Sequence, residues 1–171
     1  MTSPTRRDLG LGAAAIAAAL TAAPAVSSAS GTPEPAHDMT GVPPHWHGNE
    51  QIVMLAYPGM TALDLVGPHY MFTSMMGATT RLVARTSDPV RSDTGLVITP
   101  DLTFGSCPPK VDIIFVPGGT AGTLAAMQDA ETIAFLKDRG QAARFVTSVC
   151  TGSLILGAAG LLDGYRATSH W

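Results

Sequence analysis

The sequence predicts an α/β domain, doubly wound around a mostly parallel sheet, over residues 50–171. Two short apolar runs, at residues 51–56 and 111–116, are almost unbroken, as expected of strands covered on both faces. Stretches with helix-like apolar spacing lie between the strand-like runs. Several strand-like runs end in tight turns: Tyr57-Pro58-Gly59, Pro117-Gly118-Gly119 and Cys150-Thr151-Gly152. That alternation of strand, turn and helix is the pattern of a doubly wound sheet, and active groups in such sheets collect at the carboxyl ends of the strands.

The elements follow in order. Residues 51–56 form the first strand. Apolar spacing from Leu63 onward suggests a helix, which is expected to begin near Pro68, since proline fits the first helical turn. Residues 80–84 read as a second strand, and Asp93-Thr94-Gly95 as a turn leading to an edge strand or hairpin arm at 96–100. A buried strand at 111–116 precedes two helical pieces, near 121–127 and 129–139. A strand at 144–149 then runs directly into Cys150-Thr151-Gly152, and residues 153–161 look helical. Asp163-Gly164 turns the chain into a final segment at 166–171.

The 171 residues suit one domain. Hydrophobic residues make up 46% and charged residues 13%, enough for a well-buried core. A net charge of -3 supplies no basic field for nucleic acid. Residues 1–30 stand apart from the domain. Arg6-Arg7 precede an apolar stretch at about 11–23 that is too short and too rich in Ala and Gly for a membrane span. The segment resembles a twin-arginine export signal, with a cleavage point at either Ser27-Ser28-Ala29 or Ala23-Pro24-Ala25. Export to the periplasm or beyond, with no stable membrane insertion after cleavage, is the expectation. Residues 31–49 read as a linker or strap. His45-Trp46-His47 invites a metal reading, but no third ligand stands near it, so a strap with Trp46 docked on the body is preferred.

Cys150 is the candidate reactive residue. A sulfur where a strand hands over to a helix meets free N–H groups and the positive end of the helix dipole, an environment that favours thiolate. Ser148 and Gly152 are small, as a sharp nucleophile-elbow turn requires. If the strands ending at Pro117 and Cys150 are neighbours, the N–H groups of Gly119 and Thr151 would form an oxyanion-hole-like pair. Two other readings stand beside this one: a small buried hydrophobe, or a disulfide with Cys107 in an exported protein. Asp64 either caps the helix starting near Gly67-Pro68 or is a buried functional carboxyl. A carboxyl buried beside a thiolate would hold its proton and be able to donate it. His170 either lines the pocket, with Gly118, or is a satisfied histidine at a strand end; His69 decorates the first helix.

Four segments then carry a resemblance. Thr61-Ala62-Leu63-Asp64-Leu65-Val66-Gly67-Pro68, Val116-Pro117-Gly118-Gly119-Thr120, Val146-Thr147-Ser148-Val149-Cys150-Thr151-Gly152-Ser153 and Ala167-Thr168-Ser169-His170-Trp171 resemble the ThiJ/PfpI family. That family belongs to the flavodoxin-like, class I glutamine amidotransferase-like superfamily. Residues 156–162 are similar to its isonitrile hydratase branch. The resemblance implies Cys150 as nucleophile, Asp64 as the acidic partner that handles protons, and Thr151 as a further active-site residue. It implies hydration of an isonitrile to an N-substituted formamide through a covalent thioimidate, with no metal or organic cofactor. Many members with protease, glyoxalase or deglycase assignments carry His after the cysteine; Thr151 here disfavours those activities. Related domains at the front of AraC-type regulators leave a second expectation, an exported ligand-binding or redox-sensing domain. Family domains normally continue past the Thr-Ser-His-Trp motif and commonly form homodimers, so a C-terminally partial chain and a full-length homodimer are expected.

Overall fold

The structure is a computed structural model that describes residues 43–170, without the side chain of Trp46. The export segment and most of the strap lie outside the described residues, as does the expected docking of Trp46. What is seen of the strap is a 3-10 turn at Pro44–Trp46. The Gly48 N–H then donates to the Met76 carbonyl at 2.8 Å and ties the strap to the body.

Among the described residues seven strands form the sheets: β1 (Gln51–Leu55), β2 (Thr79–Ala84), β3 (Val90–Arg91), β4 (Val97–Ile98), β5 (Leu102–Thr103), β6 (Ile113–Val116) and β7 (Phe145–Ser148). The same residues form four α-helices, α1 (Ala62–Thr73), α2 (Ala121–Gln128) and α3 (Ala130–Ala142) between strands and α4 (Gly152–Ala158) after β7. The main sheet has the order β5-β2-β1-β6-β7, and every pairing in it is parallel. β1 and β6 occupy the centre, which is why their side chains are buried on both faces. Ile52, Met54, Leu55, Ile114 and Val116 from these strands pack with Leu65, Leu136 and Ile155 from the helices.

From β1 the chain first builds outward through β2 and β5, then returns to lay β6 and β7 on the other side. The carboxyl ends of β1 and β6 therefore flank a topological switch point, the place where doubly wound sheets open a crevice. β6 and β7 are neighbours, with Val116 opposite Ser148, so the turns that follow them face the same space.

The first helix departs from expectation. It begins at Ala62, not near Pro68, and Pro68 lies inside it. Proline there withholds an N–H from the Asp64 carbonyl, a loss that argued for a later start. The early start is supported by a distant residue. Asp93, in the turn of the β3–β4 hairpin, accepts a hydrogen bond from the Ala62 N–H at 3.2 Å, while its own N–H donates to the Met60 carbonyl at 2.9 Å. The capping reading of Asp64 falls with this, because Asp64 is the third residue of α1 and not its cap.

The segment at 96–100 is a hairpin arm, pairing antiparallel with β3, but only Val97 and Ile98 hold strand geometry. Residues 166–170 carry no regular structure. Cys107 and Cys150 are both free, which removes the disulfide reading; Cys107 is buried, and its carbonyl accepts from Arg139 Nη2 at 3.0 Å. Among the described residues no helix is long and apolar enough to cross a membrane, and no group of three His, Cys, Asp or Glu side chains is placed to hold a metal ion.

Candidate active site

Cys150 is the only non-glycine residue among those described with a positive φ, at 52°. An L-residue in the left-handed region carries strain of about 1–2 kcal/mol, and such strain collects where surrounding structure fixes a functional side chain. The surroundings here are tight. A β-carbon on Gly152 would lie 2.3 Å from the Val116 carbonyl oxygen and 2.8 Å from that of Pro117, so only glycine lets the turn press against the end of β6. The Cys150 carbonyl accepts from Ser153 Oγ at 3.3 Å and from Ser169 Oγ at 3.4 Å. The second bond brings the Thr-Ser-His segment to the elbow. His170, next along, is exposed.

The candidate groups converge on Gly118. A β-carbon built there would stand 2.7 Å from Asp64 Oδ2, 2.7 Å from the Cys150 β-carbon and 2.9 Å from the Thr151 nitrogen. Carboxyl, thiol-bearing carbon and backbone donor thus bracket a single point. Asp64 Oδ2 is buried and has no hydrogen-bond partner among the described residues. A buried carboxyl oxygen without a partner is costly, and such atoms persist mainly where a ligand, water or proton is to be met. Asp64 is held there because the turn before α1 is fastened to Gly118, whose carbonyl accepts from the Thr61 N–H at 2.8 Å.

The expected oxyanion pair needs correction. The Gly119 N–H donates to Thr151 Oγ1 at 3.0 Å and is not free to meet a substrate. The Thr151 hydroxyl also donates to the Gly119 carbonyl at 2.8 Å. Sequence spacing placed Gly119 at the crevice but could not show that its amide would be taken up by the neighbouring turn. Two amides beside it, those of Gly118 and Thr151, have no acceptor among the described residues.

Two residues near the centre gave no clear sign in the sequence. Tyr57, just past β1, donates from its hydroxyl to the Pro117 carbonyl at 2.9 Å and lies 3.1 Å from Thr123 Oγ1. Thr123, in the first turn of α2, is in turn 2.9 Å from Thr151 Oγ1. Burial pushes the Tyr57 phenol up to about 12; the hydrogen bond with Thr123 opposes this, and the nearby Asp64, Cys150 and Asp93 charges add to it. The only local signal for either residue was a hydroxyl beside a glycine-bearing turn, which many surface turns share.

A cavity of about 310 Å³ is lined in part by Tyr57, Ala84, Arg85, Phe104, Gly122 and Asp129. Cys150 does not reach it. Asp64 Oδ2 and the Cys150 β-carbon meet at Gly118, which does not line that cavity.

A cysteine in a left-handed backbone turn, a buried carboxyl oxygen without a partner and two open amides thus stand together at one switch point. Residues 50–171 match the DJ-1/PfpI family. The chain belongs to the DJ-1/PfpI family. It is 49% identical to isonitrile hydratase of Pseudomonas putida over 121 residues, covering 71% of this chain and 52% of that protein. A crystal structure of a ThiJ/PfpI family protein from Pseudomonas syringae superposes with a TM-score of 0.73 at 60% identity, covering 84% of this chain and 59% of the other. The HTH-type transcriptional regulator GbdR of Pseudomonas aeruginosa is 32% identical over 137 residues, covering 77% of this chain and 36% of that protein. The chain therefore spans about half the length of the curated hydratase it matches. As a DJ-1/PfpI domain it has the mostly parallel α/β sheet that its strand and helix pattern predicts.

Proposed function

We propose that this DJ-1/PfpI domain hydrates an isonitrile to an N-substituted formamide, with Cys150 as nucleophile and Asp64 as proton carrier. The observation that carries the reading is the buried, unpartnered Asp64 Oδ2 aimed at the same point as the Cys150 β-carbon. The 49% identity to isonitrile hydratase supports the choice of substrate class.

The chemistry balances with one proton held between the two residues. Cys150 sulfur adds to the terminal carbon of R–N≡C, and that carbon takes the proton from Asp64, giving the thioimidate R–N=CH–S–Cys150. Ionised Asp64 then removes a proton from water, whose oxygen attacks the same carbon, and returns that proton to the nitrogen. The adduct collapses as the C–S bond breaks, the hydroxyl proton passes to Asp64, and R–NH–CHO leaves with the starting state restored. In this reading the open amides of Gly118 and Thr151 stabilise negative charge that develops between them. No step calls for a metal or an organic cofactor.

The test is incubation of the purified chain with a panel of alkyl and aryl isonitriles, following formamide by chromatography and Cys150 adducts by mass spectrometry. Turnover that disappears in Cys150→Ser and Asp64→Asn is the expected result. A correctly folded protein with neither turnover nor adduct on any isonitrile overturns the proposal.

The similarity to a transcriptional regulator favours one other reading, a domain that binds a small molecule or senses oxidants through Cys150 without catalysis. Cys150→Ser separates the two, since a binder keeps its ligand affinity where an enzyme loses its turnover. Two further parts of the proposal concern setting. Export is carried by the Arg6-Arg7 segment and is tested by fusing residues 1–30 to a reporter, with Arg6→Lys/Arg7→Lys as control. Homodimerisation is supported by Leu63, Val66 and Tyr70, which share one exposed face of α1 at i, i+3 and i+7; sedimentation of the full-length protein tests it.

A further inference from the structure

We infer that Tyr57 and Thr123 are positioning residues of this site, acting through the Thr151 hydroxyl to hold the Pro117–Gly119 turn against the Cys150 elbow. The inference rests on the proposed reaction only for its consequence in turnover; the geometry stands by itself.

Tyr57 and Thr123 are 4% and 1% exposed, so their hydroxyls must find partners inside the protein. The Tyr57 proton goes to the Pro117 carbonyl at 2.9 Å. The Thr151 proton goes to the Gly119 carbonyl at 2.8 Å, while Thr151 Oγ1 accepts from the Gly119 N–H at 3.0 Å. The Thr123 proton then has two destinations, Thr151 Oγ1 at 2.9 Å or the Tyr57 oxygen at 3.1 Å. Every hydroxyl proton is placed, and the oxygens of Tyr57, Thr123 and Thr151 form one unbroken chain.

That closure has two consequences. The Thr151 hydroxyl donates its single proton and accepts from Gly119, so no donor remains in it for a substrate. Its role is to clamp a turn, not to touch the reacting atoms. Gly118 sits between the two clamped residues: Pro117 is held by Tyr57 and Gly119 by Thr151. The direction of the open Gly118 amide is thereby set from both sides. Four separate parts of the fold meet in this relay, namely the end of β1, the end of β6, the first turn of α2 and the elbow.

The test uses the full chain and a readout independent of isonitriles. The rate of Cys150 alkylation by iodoacetamide is followed from pH 5 to 9 by mass spectrometry of the Cys150 peptide. Thr123→Val removes the hydroxyl at nearly constant volume, Thr123→Ser keeps it, and Tyr57→Phe removes the other end. Thr123→Val and Tyr57→Phe are expected to change the neutral-pH alkylation rate and kcat by about tenfold, the equivalent of one hydrogen bond, with KM little altered. Thr123→Ser is expected to restore both. Folded Thr123→Val and Tyr57→Phe proteins with the wild-type alkylation profile overturn the inference. So does equal damage from Thr123→Ser and Thr123→Val, or a fall in the urea midpoint with alkylation unmoved. Should Thr123→Val not fold, Tyr57→Phe decides by the same criteria. If the alkylation profile responds as expected while the wild type turns over no isonitrile, the relay stands and the proposed reaction falls.

Discussion

Adding one methyl group at Gly118 tests the convergence on which the site depends. In Gly118→Ala the new β-carbon would stand 2.7 Å from Asp64 Oδ2 and from the Cys150 β-carbon, and 2.9 Å from the Thr151 nitrogen. Ordinary carbon contacts lie at about 3.5–4.0 Å, so these groups would have to move apart by roughly 0.5–1 Å. None gives way easily: Asp64 is anchored by α1, and Cys150 and Thr151 are backbone-fixed at a strained turn. Overpacking of this kind costs about 1–3 kcal/mol in stability. The effect on chemistry is larger, since a displacement of about 1 Å between reacting groups costs on the order of 10²-fold in rate. Gly67→Ala is the internal control. Gly67 lies in the same helix as Asp64 with nothing within 4 Å of its added β-carbon. It should gain roughly 0.5–1 kcal/mol from lost backbone freedom in the unfolded chain and leave the site intact. Urea unfolding, isonitrile turnover and Cys150 alkylation measured on both variants complete the comparison. A Gly118→Ala protein with wild-type turnover and alkylation would refute the convergence, because three atoms cannot crowd one point and be indifferent to its being filled.

Three other outcomes follow from the same structure. At position 150 the usual order of Ala over Gly should reverse, with Cys150→Gly more stable than Cys150→Ala by roughly 0.5–1 kcal/mol in urea, because release of left-handed strain exceeds the entropy cost of glycine. Tyr57, with its phenol raised to about 12, favours folding below the ordinary tyrosine range. That contribution is lost as pH rises from about 10 toward 12, so the ultraviolet difference spectrum between wild type and Tyr57→Phe should show phenolate only in the upper part of that window. The Asp93 carboxyl is nudged up by desolvation but held below its usual range by hydrogen bonds from Thr61, the Ala62 N–H and Thr94. Its stabilisation of the α1 start is present above the unfolded carboxylate range and fades as pH falls through the lower folded value; Asp93→Asn should flatten that part of the urea-midpoint profile.

Much of the fold was legible because parallel strands buried on both faces write themselves as apolar runs. β1 and β6 could be read from residues 51–56 and 111–116 for that reason alone. The elbow was legible too, since a cysteine set between an apolar strand run and a helix start made of small residues marks a sharp strand-to-helix turn. The start of α1 was not. Pro68 argued for a late beginning, and the residue that supports the early one, Asp93, comes 31 positions after Ala62.

The sequence by itself determined the class of sheet and the family, and it singled out Cys150 and Asp64 as candidates, because each of these readings depends on residue type and short-range spacing. Only the tertiary structure decided that the Gly119 amide is already occupied, that Asp64 and Cys150 meet at Gly118, and that Tyr57 and Thr123 link by hydrogen bonds to Pro117 and Thr151. Those facts are hydrogen-bond choices among groups from four different turns. Each turn offers several partners, and the selection is made by which turns the sheet order brings together.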